Sequence, residues 1–197
     1  MIGRDFWYDV LRSGAILGVA MAIAHVLEQY MIVYSGESIT SVIVWYLLVW
    51  TISAGVFIWL LVRFSRRRAA ASDPKYGYSY SVALSYILMV SMLAGVIVGA
   101  TNTIYVGAMG YGEYVEGMIG RVEEIKQMYT EMNITTLNGE FDKMCEVLRT
   151  AERPSMLSSV FSSFNTYITT GGLCGLIISA IVSRKPQLFN TDDNSNE

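Results

Sequence analysis

His25 and Glu28 are the residues in this chain whose types and spacing most plainly invite chemistry. They stand three positions apart, so on a helix they share a face, and the run before them, Ser13 to Ala24, carries no charge. Counting about 1.5 Å of rise per residue from Arg12 puts them roughly 20 and 24 Å along that helix. Asn165, counted back from Arg184, lies roughly 28 Å up, and Asn102 falls near the outer end of another apolar run. The count therefore brings His25, Glu28, Asn102 and Asn165 to one depth, in the outer third of a membrane. An ionisable pair at that depth is costly enough to be read as functional: it binds a proton or cation, or hydrogen-bonds a substrate head group. The plainer alternative has Glu28 reaching up to the outer interface while His25 bonds to Asn102 or to a backbone carbonyl.

Other chemistry is hard to build from these residues. His25 is the single histidine, which leaves no Ser/His/Asp set, and Cys174 is expected in the opposite membrane half from it. Cys145 reads as part of a loop, so a disulfide with Cys174 is not expected. One imidazole and few inward carboxylates do not make a metal site. Gly107 to Gly110 and Tyr111-Gly112 follow no strand and so cradle no phosphate. No catalytic residue, metal or cofactor is expected, and the chain is read as a non-enzyme. A net charge of −3, with no basic patch interleaved with aromatics, counts against nucleic acid.

The elements that position His25 and Glu28 follow from uncharged length. The chain has 197 residues, of which 53% are hydrophobic and 16% charged, and its mean hydropathy is +0.40. That composition, with several uncharged runs long enough to cross about 30 Å of hydrocarbon, predicts an integral membrane protein. The clearest run is Ser38 to Val62, closed by Arg63, Arg66, Arg67 and Arg68. Spans are expected at about 13–34, 40–63, 80–107 and 155–183, the last stopped by Arg184 and Lys185, with Pro154 suited to a helix start. The fold class is all-α: a four-helix membrane bundle in one domain, 1–186, followed by a disordered acidic tail, 187–197. Arg4 and Arg12 alternate with Asp5 and Asp9 before the first span, unlike a cleaved leader, so that helix is expected to be retained.

Charge sets the orientation. The connection after the second span holds the arginine run and Lys75, whereas the loop after the first holds no Lys or Arg. The positive-inside rule then makes both termini cytoplasmic and Arg63, Arg66, Arg67, Arg68, Arg184 and Lys185 the cytoplasmic anchor. Segment 113–152 faces outward and carries more carboxylates than basic groups. In it Met118, Val122, Ile125, Tyr129 and Met132 recur at helical spacing. A second helix is expected from Glu140 to Thr150, with Phe141, Met144, Cys145 and Leu148 on one face and Asn138 as its cap. Packing over the outward mouth of the bundle, or against a partner, suits this acidic insertion better than anionic lipid. Trp45, Tyr46 and Trp50 are expected to form an aromatic wall beside His25 and Glu28. Small residues at four-residue spacing, Gly14 and Gly18, Gly95 and Gly99, and Gly171 and Gly175, allow close helix packing, within the bundle or between copies.

Several stretches together resemble one family. They are Tyr76-Gly77-Tyr78-Ser79-Tyr80 before the third span, the exit from Tyr105 to Met118 with Glu113-Tyr114-Val115-Glu116, and the isolated Pro154 after an acidic helical segment. The closing piece runs from Gly171-Gly172-Leu173-Cys174-Gly175 to Val182, followed by Arg184-Lys185. In order and spacing, over roughly residues 6–186, the chain resembles the bacterial membrane family known as domain of unknown function 4199. It departs from that family's pattern after the third span, where Met109-Gly110-Tyr111-Gly112 stands in place of Asn-Pro-Asp. The resemblance implies a small bacterial inner-membrane protein with four spans and a helical insertion before the last; it brings no activity or catalytic residue with it.

Three functions remain in view. The first is a structural or accessory subunit acting through protein or lipid contacts, with membrane lipids and either a second copy or another membrane protein as partners. The alternative is a small transporter or channel with an outward-facing polar site around His25 and Glu28. More distant is an enzyme on a lipid-linked substrate.

Overall fold

The computed structural model describes residues 4–34, 38–73, 77–134 and 136–185. They form six helices: α1 (Arg4–Tyr34), α2 (Ile39–Ala70), α3 (Tyr80–Met109), α4 (Tyr111–Glu131), α5 (Asn138–Thr150) and α6 (Met156–Val182). Four of them, α1, α2, α3 and α6, are long and apolar enough to cross a membrane. The chain is an all-α integral membrane bundle, with α4 and α5 inserted before the last span. The acidic tail and residues 35–37 lie outside the described residues.

Local chemistry sets the helix ends. Ser79 caps α3 by accepting from the Val82 N–H at 3.4 Å, and Ser155 caps α6 by accepting from the Ser158 N–H at 3.2 Å. Pro154 therefore precedes the α6 cap and does not open the helix, because the Ser155 hydroxyl supplies the acceptor that a proline cannot. Asn138 is likewise the first residue of α5, not its cap, since Leu137 already holds the cap position. Between α3 and α4 the chain turns on Gly110 alone, at φ 88°, a left-handed backbone that a side chain would strain.

α3 is the centre of the bundle. Half of its most apolar window is buried, against 33% for α1, 28% for α6 and 11% for α2. In lipid there is little hydrophobic drive to bring helices together, so close packing and backbone approach must hold them. Gly14 and Gly18 receive Leu93 and Ile97 of α3. On the other side, Gly95 and Gly99 lie against the backbone of α6 at Ser163–Phe164 and Ser159–Val160, while Gly171 and Gly175 face Ser91 and Leu84. All six glycines thus sit in helix contacts within one chain.

One end of the bundle is basic and tied together. Tyr78 and Arg184 exchange backbone hydrogen bonds of 3.0 and 2.8 Å, joining the start of α3 to the end of α6. Arg68 pairs with Asp9 at 2.7 Å and lies over the Phe6 ring at 5.5 Å, joining α2 to α1. The buried Tyr86 hydroxyl donates to Ser13 Oγ at 2.8 Å. Arg63, Arg66, Arg67, Arg68, Arg184 and Lys185 therefore gather at the end that carries the start of α1.

The insertion packs at the far end. The Arg121 guanidinium is nearly buried and donates from Nε to the Ile32 carbonyl at 2.7 Å, satisfying an acceptor that the C-terminal end of α1 leaves open. Gly117 lies against Val33 in the same contact. α4 and α5 share a small core of Ile119, Val122 and Cys145, with Val115, Phe141 and Leu148 around it. Met132 and Met144, expected on the apolar faces, are both 53% exposed. Met132 is the C-cap residue beyond the end of α4, whereas Met118, Val122, Ile125 and Tyr129 within the helix are buried or half-buried.

Candidate functional site

α2 contacts the bundle chiefly through the half nearest the basic end, where Phe57, Leu60, Leu61, Ser65 and Ala69 are buried. Its other half stands away from the bundle, with Val42 as its one buried residue. The gap so formed is a cavity of ≈ 720 Å³, walled by α1, α2, α3 and α6.

Each helix sends a periodic face into it. From α1 come Met21, His25 and Glu28, at the i, i+4, i+7 positions of one stripe, with the Gln29 amide beside them. From α2 come Tyr46, Trp50 and Phe57, and from α3 come Val98 and Asn102. α6 contributes a hydroxyl ladder of Ser158, Ser162, Thr166 and Thr170, each one turn from the last, with Ser159 and Ser163 beside it. Phe57 and Tyr167 meet edge to face at 5.8 Å between α2 and α6 and close the cavity on that side.

The polar centre is His25, Glu28 and Asn102. The Glu28 carboxylate is 15% exposed and the His25 imidazole 33%, and His25 Nδ1 lies 4.0 Å from Glu28 Oε2. That distance is too long for a hydrogen bond, so the imidazole does not occupy the carboxylate. The Asn102 side chain stands beside the imidazole. Its Oδ1 is buried without a hydrogen-bond partner among the described residues, a condition that favours filling by a ligand or water. Ser53 and Thr166 donate to the carbonyls of Val49 and Ser162 in their own helices, at 2.7 and 3.1 Å. What they offer the cavity is lone pairs. No Lys or Arg lines it.

Three of the four residues that the depth count brought together meet here. Asn165 does not: it lies on the exposed face of α6 and lines no part of the cavity. The rise fixed its depth but not its direction, and α6 turns Ser162 and Thr166 inward instead. Trp45 is likewise absent from the lining, while Tyr46 and Trp50 border the cavity, Trp50 with 55% of its surface still exposed. Cys174, expected in the opposite half of the membrane, also lines this cavity, which reaches further toward the basic end than the count implied. The serine and threonine ladder was not singled out from the sequence, although its four-residue spacing is visible there.

A smaller hollow of ≈ 500 Å³ between α1 and α3 is lined by groups such as Val19, Ile23 and Ile97 and carries no carboxylate, imidazole or amine. Among the described residues, no three His, Cys, Asp or Glu side chains gather as a metal-ligand set. The cavity holds one carboxylate and one imidazole within a ring of hydroxyls and amides, which suits binding and orientation of a ligand.

No match was found among curated proteins or solved structures. Residues 12–184 match the family model described as "Protein of unknown function (DUF4199)", and the chain belongs to that family.

Proposed function

We propose that this protein is a non-enzymatic membrane protein that binds a small polar solute or head group in the cavity between α2 and α6, as a small transporter does. The observation that carries the reading is the convergence of His25, Glu28 and Asn102 on one cavity with the hydroxyl ladder of α6. Had Glu28 faced lipid, or filled a dry contact, the plainer alternative would stand. A carboxylate 15% exposed at the wall of a 720 Å³ cavity instead supports a binding role.

The positive-inside rule supports placing the arginine end, and with it both termini, in the cytoplasm of a bacterial inner membrane. The cavity then opens toward the outer side. The subunit reading retains one supporting observation. Val147 and Met144 of α5 are 65% and 53% exposed on the insertion, away from the four spans, which suits contact with another membrane protein or a second copy.

Reconstituted liposomes test the first reading. Solute uptake or proton flux under an imposed gradient should be present in the native protein and lost in Glu28→Gln with the fold retained. Absence of any flux, combined with absence of any ligand-induced thermal stabilisation, would sink it.

A further inference from the structure

The lining of the cavity is chemically one-sided. It holds the Glu28 carboxylate, the Gln29 and Asn102 amides, a set of hydroxyls, and the rings of Tyr46, Trp50, Phe57 and Tyr167, and among the described residues its charge is one-signed, with no basic side chain other than the His25 imidazole. A neutral polar solute finds donors as well as acceptors in the Gln29 and Asn102 amides and the hydroxyls of α6, but it would leave the Glu28 carboxylate without a counter-charge. An anion would face an uncompensated carboxylate with no guanidinium or ammonium to hold it. From this composition we infer that the ligand is a small organic cation, an aliphatic or aromatic ammonium compound. It would set its charge against Glu28 and its hydrocarbon against the aromatic rings.

The two halves of that recognition come from different helices. Glu28 is supplied by α1, whose face is fixed by packing against α3. Tyr46 and Trp50 come from the part of α2 that stands away from the bundle, and Phe57 and Tyr167 close the side nearer the basic end. A cation over an aromatic face is attracted by the ring quadrupole, most strongly where water is excluded. The protein already makes two such contacts at its basic end, Arg63 over Trp59 at 5.0 Å and Arg68 over Phe6 at 5.5 Å. At ≈ 720 Å³ the cavity far exceeds a bare metal ion, and its oxygens are dispersed over four helices. An ion stripped of water gains from oxygens gathered at one point, whereas an extended ammonium compound can reach a dispersed set. Arg153, beside Gly107 of α3, is an exposed cation outside the lining and is screened by solvent.

The inference rests on the cavity being a binding site, and the test separates the two claims. The native full-length chain in phosphatidylcholine nanodiscs is titrated by calorimetry with three probes of one shape class, with empty discs subtracted. The probes are benzyltrimethylammonium, its uncharged isostere neopentylbenzene, and benzenesulfonate. The cation should bind at one per chain, at least about tenfold more tightly than the isostere, with no binding of the sulfonate. Glu28→Gln should weaken the cation at least about tenfold and leave the isostere unchanged. Trp50→Leu, at a position outside the packed core, should also weaken the cation more than the isostere, and it serves if Glu28→Gln fails to fold. If the isostere or the sulfonate binds as tightly as the cation, the ligand class is wrong while the binding site stands. If none of the three binds, both claims fall.

Discussion

Replacing Gly99 by alanine should separate α3 from α6 and destabilise the bundle. A Cβ built at Gly99 would lie 2.6 Å from Val160 Cα, 2.9 Å from the Ser159 carbonyl oxygen and 3.1 Å from Val160 N, all of them backbone atoms. No rotamer change relieves a clash with backbone, so the helices must part. Ordinary contact begins at 3.4 Å, which requires a local shift of 0.8 Å (3.4 − 2.6) in the contact the fold depends on most. Overpacking of this kind costs about 1–3 kcal/mol, from which the better helix propensity of alanine returns at most about 1 kcal/mol. Gly55, on the exposed part of α2, has nothing within 4 Å of its built Cβ. Gly55→Ala should therefore show only the propensity term and leave stability unchanged or slightly raised. Thermal melts followed by helical circular dichroism in detergent provide the assay. Gly99→Ala should melt several degrees lower than the reference, at about 2–4 °C per kcal/mol for a chain of this size, and Gly55→Ala should not. Equal melting of the two variants would refute the reasoning, because it would mean that the α3–α6 approach is not tight.

Two tyrosines at the basic end should respond oppositely to losing a hydroxyl. Tyr86→Phe removes the bond to Ser13 Oγ and should cost about 1 kcal/mol, whereas Tyr78→Phe removes a buried hydroxyl that has no partner among the described residues and should be neutral or stabilising; a shared loss in thermal melts would contradict the hydrogen-bond assignment. Burial holds the Tyr78 phenol up at about 12, so no absorbance change from it is expected below strongly alkaline pH. Arg121→Ala should undock the insertion from α1 at a cost of about 1.5–3 kcal/mol, read as faster hydrogen exchange in α4 and α5 while α3 stays protected; unchanged exchange would show that the Ile32 contact does not hold the insertion. Asp9→Asn, at a pair whose side chains are 34% and 23% exposed, should cost no more than about 1 kcal/mol and less in high salt. Arg68→Ala should cost more, since it also uncovers Phe6.

Uncharged length and arginine stops carried the fold in the sequence, because a bilayer leaves a chain few other ways to satisfy its backbone. Arg63 to Arg68 and Arg184 mark one end without reference to any contact. The site was legible where charge is rare: His25 and Glu28 stand out against apolar neighbours, and Asn102 follows from depth. Asn165 shows what depth leaves out. Its height along α6 is a matter of rise, but its direction depends on which face α3 takes, and that is decided by Gly171 and Gly175 receiving Ser91 and Leu84. Measured against those glycines, Ser158, Ser162, Thr166 and Thr170 point toward α2, so the ladder could have been found by counting from the packing face. The standing-away of α2 had no such signal. Its run from Ser38 to Val62 reads as the most confident span of the four, yet a run that is apolar on every face does not say which face will be covered.

The exposed half of α2 also separates two demands that most binding sites must meet with the same residues. Tyr46 and Trp50 line the cavity yet lie outside the packed core, while that core is kept by α1, α3, α6 and the buried half of α2. Substitutions at these two positions can change which ligand fits with little loss of folding stability, whereas Glu28 and Asn102 are set on the helices that hold the bundle. For the proposed binding role, a library confined to Tyr46, Trp50 and Ser53 is the economical place to redirect the ligand while keeping the scaffold.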